Sequence, residues 1–61
     1  MNQEDIHLAV RLLIEHYGGD AAQRAATNLE ELLARGDAEA AEGWRCVLRV
    51  ILEIQGSGTR H

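Results

Sequence analysis

Apolar residues recur along this chain at alternating steps of three and four, the spacing that gathers side chains on one face of an α-helix. The pattern falls into three blocks, and the densest lies between Gly36 and Gln55. There Ala40, Trp44, Val47, Ile51 and Ile54 form a seam, with Ala41, Leu48 and Leu52 on one flank and Val50 on the other. At about 100° per residue this apolar arc spans roughly 200°, which leaves Glu39, Glu42, Arg45, Cys46, Arg49 and Glu53 for water. A single partner surface does not cover so wide an arc.

The first block reads as a helix that starts on Asn2 as N-cap, carries Glu4 and Asp5 in its first turn and is stopped by Gly18 and Gly19. Ile6, Ala9, Val10, Leu13, Ile14 and Tyr17 make its stripe, Leu8 and Leu12 widen it, and His7, Arg11 and Glu15 form its polar strip. In the second block Asp20 reads as an N-cap, with Gln23 completing a capping box. The inner face of this block is Ala22, Ala25, Ala26, Leu29, Leu32 and Leu33, and its small residues allow a neighbouring backbone to approach closely. Gly36 can take the left-handed conformation that ends this helix, and Asp37 caps the next.

These signals predict helices over 3–17, 21–35 and 38–55. Connections this short force antiparallel neighbours, so the expected fold is all-α: a small bundle of three antiparallel helices running up, down, up. Its expected core is Ile6, Val10, Leu13, Tyr17, Leu29, Leu33, Trp44, Val47, Leu48 and Ile51. Residues 1–55 make one three-helix domain, and GSGTRH, with nothing apolar to bury, is expected as a disordered C-terminal tail over 56–61.

Length sharpens the picture. A chain of 61 residues buries only about 60% of the surface exposed when it is unfolded, so its fold is marginal without a disulfide, a metal or another chain. Cys46 is the only cysteine, which excludes an intrachain disulfide and fits a reducing cytoplasm. The remaining route is association. An isolated three-helix bundle leaves surplus apolar surface at Leu8 and Leu12 on the first helix and at Val50 or Leu52, whichever edge stays uncovered, on the third. A homodimer through these residues is the expectation, with another protein as the alternative occupant.

Charge and chemistry narrow the function further. Ten acidic residues against six arginines give a net charge of −4, which disfavours direct nucleic-acid binding, and the arginines are spread along the chain rather than clustered. Glu4, Asp5, Asp20, Asp37 and Glu39 all fall at expected helix starts, where the helix dipole favours negative charge. No apolar run is long enough for a membrane span, and the opening MNQEDIH lacks the basic region of a secretory signal, so a cytoplasmic protein is expected. His7 and His16 lie half a turn out of phase, Cys46 is on another helix and His61 is in the tail, so no metal set converges. Cys46, Thr27 and Ser57 have no histidine on a matching face, and Glu30 and Glu31 read as a solvated pair. The glycines at 18, 19 and 36 follow no strand and precede no Lys or Ser/Thr. No catalytic residue, metal or cofactor is expected.

The succession Leu12-Leu13-Ile14, His16-Tyr17-Gly18-Gly19-Asp20-Ala21-Ala22, Leu32-Leu33, Gly36-Asp37, Ala41, Trp44, Val47 and Ile51 resembles a family of short helical proteins of unknown function encoded in alphaproteobacterial genomes. The resemblance runs over residues 8–54 and implies a helical fold and a bacterial cytoplasm, without an activity. The functional expectation is a non-enzymatic protein–protein interaction module that self-associates. The alternative is a small acidic phage-type or anti-defence inhibitor that blocks a nucleic-acid-binding protein.

Overall fold

The computed structural model describes the backbone of residues 1–59 and the side chains of residues 1–56. Every element among them is helical: α1 spans Gln3–Tyr17, a 3-10 turn spans Gly18–Asp20, α2 spans Ala21–Ala34 and α3 spans Ala38–Thr59. The helical residues form two unbroken stretches, 3–34 and 38–59, rather than the three separated helices expected. The reason lies in the first glycine turn. Gly18 takes a φ of 53° and redirects the backbone, but the next residues close at once into a 3-10 turn in which the Ala21 N–H donates to the Gly18 carbonyl. Gly18, with φ 53° and ψ −122°, leaves the helical region for one residue, and the chain re-enters it at once through the 3-10 turn.

That geometry also overturns the expected cap at Asp20. An N-cap side chain reaches forward to an amide of the first turn from an extended backbone, as Asn2 does with ψ 178° and a 2.8 Å bond from the Asp5 N–H. Asp20 has ψ 7°, and its side chain accepts no capping hydrogen bond. The second turn behaves as the sequence indicates. Gly36 has a φ of 77°, its N–H donates to the Leu33 carbonyl, and the Asp37 N–H donates to the Leu32 carbonyl, the paired bonds of a Schellman stop. Asp37 then caps α3, its carboxylate accepting from the Ala40 N–H at 3.2 Å.

Two contacts set the path of the chain. Met1 packs on Gly43 near the start of α3, and the Gln55 side chain donates to the Gly18 carbonyl at 2.9 Å, satisfying an acceptor at the end of α1. α1 and α3 therefore run the same way, and α2 returns between their ends. The most extensive helix contact is between α2 and α3. α3 also runs past its expected end at Gln55 through Thr59, because Gly56 keeps a negative φ and forms no left-handed stop. The expected tail over 56–61 thus begins inside a helix, and its residues 60 and 61 lie outside the described part.

The core is thin. Val10, Leu13, Val47 and Ile51 are its large buried members, and Ala21, Ala25 and Ala41 complete the buried apolar set. Ile6, Trp44 and Leu48 are partly buried against this cluster, and Leu29 is partly buried on α2. Two expected core residues lie outside it: Tyr17 is 45% exposed and Leu33 is 52% exposed. Tyr17 is the last residue of α1, where the chain is already turning, and Arg24 lies over its ring 5.7 Å from the centroid. Leu33 sits in the last turn of α2, roughly 100° around the helix from the buried line of Ala21 and Ala25.

Replacing Asp37 by Ala should lower stability by about 1 kcal/mol through loss of the cap on α3. Chemical denaturation checks this, and an unchanged midpoint would show that the bond to Ala40 contributes nothing.

Candidate functional site

Shallow grooves break the surface of the described part. One, of about 310 Å³, lies at the start of α3 and is lined by Met1, Asp37, Glu39, Ala40 and Trp44. Trp44 is only partly buried there, so the indole belongs both to the core cluster and to the groove wall. Its neighbour Gly43 is buried, because Met1 lies directly on it: a Cβ at position 43 would stand 2.7 Å from the Met1 Cβ and 2.8 Å from its Sδ. A mid-helix glycine disfavours the helix, and here the missing side chain makes room for Met1. The sequence pattern gave no sign of this contact, since Met1 precedes the first helical period.

A second groove, of about 220 Å³, lies along the first turns of α2 and is lined by Tyr17, Asp20, Gln23, Arg24 and Thr27. Arg24 meets the face of Tyr17, a cation over the electron-rich side of an aromatic ring. The Thr27 hydroxyl donates to the Gln23 carbonyl at 3.1 Å, a local back-bond that occupies its proton. The third groove, of about 190 Å³, is lined by Glu42, Arg45, Cys46 and Arg49 on the polar face of α3. Cys46 is a free, partly buried thiol.

No family model, curated protein or solved structure matches this chain. The chemistry of the site therefore rests on the residues alone. Among the described residues no three His, Cys, Asp or Glu side chains converge as a metal-binding group. His7 and His16 are both exposed on α1, Glu30 and Glu31 are exposed on α2, and His61 and the Ser57 side chain lie outside the described part.

The residues expected at an interface divide. Leu8, Leu12 and Leu52 each leave between 45 and 53% of their surface in water. Val50 does not belong with them: it is partly buried and packs against the core, so the uncovered edge of α3 is the Leu52 edge. Ile54, expected in the seam of α3, is 52% exposed. It lies one residue before Gln55, the level at which α1 has already ended. Among the described residues Met1, Leu8, Leu12, Tyr17, Leu33, Leu52 and Ile54 are large, apolar and exposed, against the four large side chains that are buried. Ile6, Ile14, Leu29, Leu32, Trp44, Leu48 and Val50 lie between these two groups, partly buried.

Replacing Gly43 by Ala should displace Met1 from its contact and open the wall beside Trp44. The fluorescence of this sole tryptophan is expected to move to longer wavelength as the ring gains water, and an unchanged spectrum would show that Met1 does not cover it.

Proposed function

We propose that this chain is a non-enzymatic protein–protein interaction module that self-associates, acting in a reducing cytoplasm. One observation carries the reading: the exposed large apolar side chains outnumber the buried ones. Monomeric proteins expose single apolar residues freely, but an excess of this kind in a chain with so small an interior marks a surface made for another surface. Burying one such leucine or isoleucine contributes about 1.5 to 3 kcal/mol, and a few of them match the whole stability of a marginal domain.

Other features support the same reading. The lone cysteine suits a compartment where disulfides are not formed, and no helix among the described residues is long and apolar enough to cross a membrane. The candidate nucleophiles lack partners: Thr27 is back-bonded, and Cys46 stands among Glu42, Arg45 and Arg49 with no histidine lining its groove. The likeness to short alphaproteobacterial helical proteins belongs to this proposal as well, and it adds a bacterial host without adding an activity.

Sedimentation equilibrium of the protein at micromolar concentrations tests the proposal. A mass rising towards two chains is expected. A mass of one chain across the range would overturn self-association and leave the apolar surplus for a different protein.

A further inference from the structure

We propose that the outer face of α1, centred on Leu8 and Leu12, docks an amphipathic helix of a different protein, one whose apolar stripe is bordered by lysine or arginine. This face is separate from whichever surface joins two copies of the chain.

On α1 the buried side chains Val10 and Leu13 lie about 60° apart and point into the cluster shared with α2 and α3. Leu8 lies roughly 170° around the helix from the middle of that pair, and Leu12 roughly 130°. The two leucines are one turn apart, so they form a single ridge on the side of α1 away from both neighbouring helices. They are 52% and 45% exposed. Tyr17 and Leu33 are exposed in terminal turns, and Ile54 stands at the level where α1 has ended, so their exposure follows from where a neighbouring helix stops. Leu8 and Leu12 stand in mid-helix, where an outward-facing leucine is covered only by another molecule.

The border of this ridge is acidic. Within one turn of the two leucines stand Glu4, Asp5 and Glu15 against the single guanidinium of Arg11, with His16 at one edge. All five are exposed, and none forms an ion pair among the described residues. The ammonium of Met1 lies about two turns before Leu8, where Met1 bends onto Gly43. α2 and α3 pack on the opposite side of α1, and α3 passes the end of α1 at Gln55 and continues away from this face. Glu4 and Asp5 suit a helix start, but Glu15 lies in the last turn of α1, where the helix dipole disfavours a carboxylate.

An apolar ridge with such a border selects its occupant. Two copies of this face would bring like charges together, and an anionic membrane surface or a nucleic acid would be repelled. A helix that carries cations on both sides of an apolar stripe meets opposite charge along the length of the ridge. Two turns of helix make a contact well below the standard interface of about 800 Å² per partner, so the affinity is micromolar and falls with salt.

The probe is a synthetic helical peptide of about 18 residues, in which leucines recur at steps of three and four and lysines border them. Fluorescence anisotropy of the labelled peptide, titrated with the full chain, should give a micromolar Kd that weakens several-fold between about 50 and about 200 mM salt. The same peptide with glutamate in place of lysine should bind at least tenfold more weakly. Leu8→Gln with Leu12→Gln should weaken binding of the lysine peptide at least tenfold, and Glu4→Gln with Glu15→Gln several-fold. Leu33→Gln, at an exposed leucine elsewhere, should leave it within twofold, and circular dichroism confirms that each variant is helical. Self-association of the Leu8 and Leu12 pair, followed by sedimentation equilibrium, should match that of the wild type. A loss of self-association in that pair would overturn the proposal, because a second copy would then be the occupant. Equal binding of both peptides, or a loss of binding in Leu33→Gln without a loss in the α1 pair, would overturn it as well. A wild-type chain that stays monomeric and still binds the lysine peptide through Leu8 and Leu12 would overturn self-association and support this face.

Discussion

The close contact of α2 with α3 is the constraint on which the rest of this structure depends. Ala21 and Ala25 have no exposed surface, and Ala41 on α3 is buried as well. Side chains this small let two helices approach, and helix pairs separated by alanine leave little volume between them for larger groups. Val47 and Ile51 are the largest side chains that fit completely inside. The same compactness that joins the helices therefore limits the core, and Leu8, Leu12, Leu33, Leu52 and Ile54 are left on the outside. Exposed apolar surface is here a consequence of how the interior is built.

The turns make that contact possible. The Schellman bonds at Gly36 and the Asp37 cap return the chain within three residues, which fixes α2 against the start of α3. At the other end the Gln55 amide reaches the Gly18 carbonyl and holds the α1–α2 turn against the end of the pair.

Much of the helical arrangement was legible in the sequence, because period, caps and glycines agreed over long stretches. The α1 boundaries at 3 and 17 and the Gly36–Asp37 turn follow from such agreement. The failures have local causes. Asp20 looks like a cap because residue type and spacing are right, but capping depends on ψ, which the preceding glycines set through the 3-10 turn. Tyr17 and Leu33 share the apolar period yet sit in terminal turns, where a helix face no longer has a neighbour. Period reports which way a side chain points along the helix and not how far the opposing helix extends. Met1 on Gly43 and Gln55 on Gly18 join residues far apart in sequence through groups with no periodic signature, so no local pattern announces them. Of the interface expected from the sequence, Leu8, Leu12 and Leu52 are exposed as their excess over the core period implied, and Val50 is not, since the choice between the two edges of α3 required knowing where α1 lies.

The thinness of the interior makes stability and association one problem. Under the proposed self-association, exposed apolar side chains are covered by a second chain, and the fold gains stability by mass action. The most direct measurement is therefore the thermal unfolding midpoint followed by circular dichroism at two protein concentrations about a hundredfold apart. The account predicts a higher midpoint at the higher concentration. Coincident unfolding curves at both concentrations would contradict it, showing that the small core holds the fold without help from a second copy.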